Sequence, residues 1–335
     1  MLNTRSKLSL LGAVSASLAL AISGCSGQSG STEASEKATQ DVTQVTITDN
    51  HGEKTIDVPP KRVLATANRT FATLDAWDVE LVAGAVSLMP DNISYTKNED
   101  IIDLGLHIEP DLEAAVAAKP DLVITGGRYA EYYDDFQELL PDATIVELTP
   151  REDKPLDQEL IRQTETLGKI FGKEEAADQL IADFKASMER VKEAYNPDNT
   201  VMAVITTGGE INYSAPTVGR TLGPIYDMVG LTPALKTEDA SHDHQGDDIS
   251  VEAIAKANPD WILVMDRDAA IKSADEFTPA KKLLESSAAL QHVDAIKNDH
   301  VLYMPQNTYL SEGIINYTNF FNTMADAMEA QKSES

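Results

Sequence analysis

The chain has 335 residues, which at about 100–200 residues per domain suggests two domains. Acidic residues outnumber basic ones 55 to 27, a formal net charge of −28; the chain therefore lacks the basic footprint that a nucleic-acid binder needs to displace counterions, and its body is repelled by anionic lipid. A single cysteine excludes an internal disulfide framework and a cysteine-based zinc site.

The chain opens with a short basic segment, Met1 to Lys7, followed by an apolar run from Leu8 to Ile22. That run has the length of a signal-peptide core and is too short and too rich in Ala and Ser for a membrane span. It ends Ile22-Ser23-Gly24-Cys25, which resembles a bacterial lipobox. The expectation is a signal peptide over 1–24, with Cys25 lipidated as the first residue of the mature chain. Losing 1–24 removes Arg5 and Lys7 and no acid, so the mature net charge is −30. Residues 25–41 are the lipidated cysteine and a small, polar, flexible tether. No other apolar stretch of span length follows, so the body is held by lipid on the outer face of the cytoplasmic membrane.

The first buried strand is predicted over Arg62–Ala67. Further on, Leu112-Glu113-Ala114, Pro120-Asp121-Leu122-Val123-Ile124 and Arg128 recur 139 residues later as Val251-Glu252-Ala253, Pro259-Asp260-Trp261-Ile262-Leu263 and Arg267. Each copy reads as a short helix, a Pro-Asp stop, a buried strand and an arginine just past the strand end. Strands that are apolar throughout suit a parallel sheet covered on both faces. Between the copies, Lys173–Ala194 places Ala177, Leu180, Ile181, Phe184, Met188 and Val191 at helical spacing without Gly or Pro. At 1.5 Å per residue this helix is about 33 Å long. A second opening strand is predicted over Val201–Thr206. The fold class is therefore α/β: two Rossmann-like lobes, 42–172 and 196–331, joined by a rigid helix over 173–195, with a ligand cleft between them. In such sheets ligands bind beyond the carboxyl ends of the strands. Arg128 and Arg267 would then face each other across the cleft, and Arg69, just past the first strand, is a further candidate.

At this level of detail the chain, from about Val45 to Met328, resembles the substrate-binding lipoproteins of iron–siderophore ABC importers, especially those for ferric catecholates and petrobactin-type chelates. The motifs that carry the resemblance are KPDLVITGGR ending at Arg128, VGRTLGPIYDMVG containing Arg220, and NPDWILVMDRDAA containing Arg267. The resemblance implies that these three arginines bind the ligand. It implies that Glu113 and Glu252 dock on the permease, although an acid in a first helical turn is also favoured by the helix dipole. It implies a histidine and a tyrosine that touch the metal of a tetradentate chelate. The loop Ser241-His242-Asp243-His244-Gln245-Gly246 offers His242 and His244, with His244 the better match, and Tyr309 stands at the tyrosine position.

Ferric iron is a hard cation that takes about six oxygen-rich ligands. Three catechols supply all six, whereas two leave a pair of positions that phenolate and imidazole can fill. An acidic protein can hold an anionic complex because a guanidinium about 4 Å away contributes on the order of 4 kcal/mol at an effective dielectric near 20. Acids on the outer surface are screened beyond about 8 Å. Arginine also forks onto oxygens and stacks on aromatic faces. The implied partners are a ferric siderophore, an ABC permease with its ATPase, and the membrane through Cys25; no nucleic acid, no cofactor and a monomer are expected. Other iron chelates (hydroxamate, citrate) or haem on the same scaffold are alternatives, and a zinc or manganese protein is a weaker one. No G-x-S-x-G elbow, H-E-x-x-H pair or phosphate-cradling loop occurs, so the chain reads as a binder and not an enzyme.

Overall fold

The computed structural model describes residues 43–105, 109–237, 240–271 and 278–334. The signal segment, Cys25 and the tether lie outside the described residues. An N-terminal hairpin pairs β1 (Thr43–Asp49) antiparallel with β2 (Gly52–Val58). The first sheet contains β3 (Val63–Ala65), β4 (Leu81–Gly84), β5 (Ile102–Asp103), β6 (Leu122–Thr125) and β7 (Thr144–Glu147). Its order is β5-β4-β3-β6-β7 and every pairing is parallel. The central strands β3 and β6 are buried at every position, as their unbroken apolar sequences require.

The second sheet is built from β8 (Thr200–Thr207), β9 (Glu210–Tyr213), β10 (Thr232–Pro233), β11 (Trp261–Asp266) and β12 (Val301–Tyr303). The parallel order is β10-β8-β11-β12, and β9 folds back antiparallel on β8. Thus β6 and β11, the two repeat strands, each lie beside the first strand of their own sheet.

The repeat extends to the devices that bound its elements. The helix Leu112–Ala118 is capped by Asp111, which accepts from Ala114 N at 2.9 Å; the helix Val251–Ala257 is capped by Ser250, which accepts from Ala253 N at 3.1 Å. Each ends on a left-handed residue, Lys119 and Asn258. The repeated Pro-Asp has a structural job. Asp121 accepts from the backbone N–H of Lys61 and Arg62, and Asp260 from that of Thr200, so each carboxylate ties its strand to the start of the neighbouring one.

The linking helix runs Glu174–Ala194. Lys173, with φ −119° and ψ 32°, is not helical, so the helix starts one residue later than the pattern alone predicts. Its first turn buries Ala177 in the core of the first lobe, and Ile181, Phe184, Met188 and Val191 sit in the core of the second. One helix is therefore embedded in both cores. It packs closely on Leu156–Phe171, where a Cβ on Gly168 would come within 2.8 Å of Ala177 Cβ. It also runs along the C-terminal helix Ile314–Glu334, with Arg190 reaching Asp326 at 2.7 Å and Glu329 at 2.9 Å. Both sheets and these helices belong to one compact unit, Val42–Ser335.

Candidate ligand-binding site

A cleft of about 840 Å³ opens beyond the carboxyl ends of the two sheets. One wall is the Val86–Asn92 stretch and Arg128; the other is Ala269–Ile271 with Gln306, Asn307, Tyr309 and Leu310. Of the residues predicted from sequence, Arg128 and Tyr309 line it directly.

Arg128 is delivered by a Gly126-Gly127 turn at the end of β6. Both glycines have positive φ, +140° and +61°. Side chains there are also excluded by space, since a Cβ would stand 2.4 Å from Thr149 Oγ1 at Gly126 and 2.6 Å from Asn68 Oδ1 at Gly127. Gly127 N donates to Thr149 Oγ1 at 3.0 Å, which fixes the turn. Arg128 itself is exposed.

Tyr309 is 2% exposed and lies in the one-turn helix Thr308–Ser311. Arginines surround it. Arg267 donates from Nε to the phenol oxygen at 3.0 Å and from Nη1 to Thr207 Oγ1 at 2.8 Å. Its guanidinium carbon is 5.4 Å from the ring centroid, and that of Arg220 is 4.7 Å away. Asp268, 3.9 Å from Arg267, accepts from Gly208 N at 2.6 Å and so joins the ends of β8 and β11.

Glu312 ends the helix that holds Tyr309 and is 2% exposed. Arg220 donates to its two carboxylate oxygens at 3.0 and 3.3 Å. Arg69, from the first lobe, stands 3.1 Å from Oε2 and donates to the Glu312 backbone oxygen at 2.7 Å. The Thr221 hydroxyl also donates to the carboxylate. Burial alone would raise the carboxyl pKa; the charges of Arg69 and Arg220 and the bonds from Arg220 and Thr221 outweigh it and hold it at about 2. Glu312 has φ +48° and Thr221 φ +63°, a conformation that non-glycine residues seldom adopt. Gly313 follows because the first lobe touches the chain there: a Cβ would sit 2.4 Å from the Arg69 carbonyl oxygen. Sequence reasoning did not single out Glu312. The only signal was an acid between Ser311 and Gly313, which reads as a turn.

The remaining predicted residues lie elsewhere. His242 and His244 are exposed on the loop after Ser241. His244 Nδ1 is 3.8 Å from Asp243, and neither histidine lines the cleft. The structure thus leaves His244 apart from Tyr309. Among the described residues, no three or more His, Cys, Asp or Glu side chains are grouped to hold a metal ion. Glu113 and Glu252 are exposed on the first turns of the two repeat helices. No helix among the described residues is long and apolar enough to cross a membrane.

The periplasmic binding protein family matches residues 63–308 of the chain. The petrobactin-binding protein YclQ of Bacillus subtilis (strain 168) is 30% identical over 316 residues, which cover 93% of this chain and 96% of YclQ. The crystal structure of YclQ aligns with a TM-score of 0.72 at 27% identity, covering 86% of this chain and 99% of that one. The ferric-anguibactin-binding protein FatB of Vibrio anguillarum (strain ATCC 68554 / 775) is 28% identical over 269 residues, 80% of this chain and 81% of FatB. The same fold occurs in the siderophore-binding protein BauB, solved with two acinetobactin molecules and ferric iron, with a TM-score of 0.73 at 23% identity over 85% of this chain and 99% of that one.

Proposed function

The chain belongs to the periplasmic binding protein family, and from that premise we propose that it is the extracytoplasmic substrate-binding component of an ABC importer. It captures a ferric siderophore of the catecholate type and delivers it to the permease. The observation that carries this reading is the cleft beyond the carboxyl ends of the two sheets' parallel strands, lined by Arg128 and by a tyrosine that Arg220 and Arg267 brace. A flat catecholate rim fits such a surface: guanidiniums meet its oxygens and the aromatic face stacks on its rings. The relatives named as binding petrobactin and ferric anguibactin support the ligand class.

In this reading Arg128, Arg220, Arg267 and Arg69 supply the cationic field. With a tetradentate chelate, Tyr309 and His244 complete the iron shell, which requires the His244 loop to swing toward the cleft and Tyr309 to leave Arg267. Glu113 and Glu252, one on each lobe, dock on the permease. Lipid at Cys25 tethers the monomer outside the cytoplasmic membrane.

The test is a titration of the full-length chain in mild detergent, read by quenching of its Trp and Tyr fluorescence. Ferric tris- and bis-catecholates should quench tightly. A response confined to a ferric hydroxamate, haem or Zn²⁺ would keep the scaffold and overturn the ligand class.

A further inference from the structure

The cleft region of this acidic chain has a resident anion. Glu312 is almost fully buried, unlike most of the molecule's acids, and it is held by guanidiniums from both lobes. Its backbone adopts a left-handed conformation to stand there. Arg69 and Arg220 therefore meet a full negative charge before any ligand arrives. Arg267 has Asp268 at 3.9 Å, and Asp91 lies with Arg128 along the cleft wall. Arg128 and Asp91 line the cleft, Arg220 and Arg267 adjoin it through Tyr309, and Arg69 through Glu312, so these four guanidiniums are accompanied by three carboxylates. The site is only weakly cationic, although its arginine count suggests a strong attractor of anions.

A ferric ion bound by two catecholates carries one negative charge, and one bound by three carries three. The energy of each complex in the site scales with that charge, so a resident carboxylate penalises the triply charged complex about three times as much. We propose that Glu312 is a specificity-determining residue, a built-in counter-ion that occupies Arg69 and Arg220 and tunes the cleft to ferric complexes of low negative charge. This rests on the proposed ferric-siderophore function and narrows its ligand class.

The experiment compares affinities of the full-length chain in mild detergent for a ferric bis-catecholate and a ferric tris-catecholate. The same ratio is then measured for Glu312→Gln and for Arg69→Gln. Glutamine keeps the shape and the acceptor oxygen of Glu312 but removes its charge. The native chain should favour the bis-complex. Glu312→Gln should shift the ratio at least tenfold toward the tris-complex, and Arg69→Gln should shift it the other way. A purely structural role would weaken both complexes equally and leave the ratio unchanged, which overturns the proposal. Should Glu312→Gln not fold, an unchanged ratio in Arg69→Gln overturns it equally. A native preference of tenfold or more for the tris-complex also overturns it. If the native chain binds neither complex, the functional reading itself falls and takes the proposal with it, whereas binding of both with a fixed ratio removes only the role of Glu312.

Discussion

Glu312 is ionised throughout the neutral range because two guanidiniums and a hydroxyl compensate the burial that would otherwise neutralise it. Its folded pKa of about 2 lies below the ordinary carboxylate value of 4.5. A depressed pKa stabilises the fold above the unfolded value, and that stability is lost as pH falls through the folded one. The native chain should therefore lose on the order of 3 kcal/mol between pH 4.5 and pH 2 that Glu312→Gln does not lose. Denaturant unfolding of both chains across that range reads the difference, and parallel curves would remove the linkage. Taking the difference matters, because Glu159, held at about 2 against its own burial by Arg151 and Arg162, loses stability in the same window in both chains. None of this was legible in sequence. Arg69 and Arg220 stand 243 and 92 positions away from Glu312 along the chain, and no local pattern links them.

At the scale of elements, much was legible. The apolar stripe of the linking helix is the stripe that is buried, because a helix of this length can hide its face only against other elements. Phe184 is fully buried and its ring centroid lies 6.0 Å from that of Phe321 on the C-terminal helix. Phe184→Ala should cost about 3–5 kcal/mol in urea unfolding, the range for a truncated core aromatic; a cost below about 1 kcal/mol would mean that the helix does not couple to the core. Asp111→Ala removes a cap and should cost about 1 kcal/mol by the same measurement. The repeat strands were legible as continuous apolar runs after Pro-Asp. The two-residue strands β5 and β10 were not, since two residues carry no periodicity and pair only because a neighbouring strand lies alongside. The opening strand is also shorter than its apolar run: β3 stops at Ala65, while the Thr66 and Ala67 N–H groups both donate to the Ile124 carbonyl.

For the whole molecule, the two exposed glutamates test the docking reading. Reversing the charge of both Glu113 and Glu252 to Lys should reduce ferric-siderophore uptake by cells at least tenfold and leave binding in the titration unchanged. Both side chains are solvent-exposed on first helical turns, so the fold should tolerate the change apart from a loss of about 0.3–1 kcal/mol per helix dipole. Unchanged uptake would sink the docking role. The sequence by itself determined the α/β class, the repeat, the linking helix and the placement of arginines at strand ends, because period, propensity and recurrence act over tens of residues. It also determined membership of a family matched over residues 63–308. Only the tertiary structure decided how those arginines are used. Arg69, Arg220 and Arg267 converge on Tyr309 and Glu312 rather than standing open to the cleft, and His244 stays outside it. The reason is physical: a buried charge must be compensated by whatever opposite charge the fold brings near, and that choice is made across the lobes, where sequence distance carries no information.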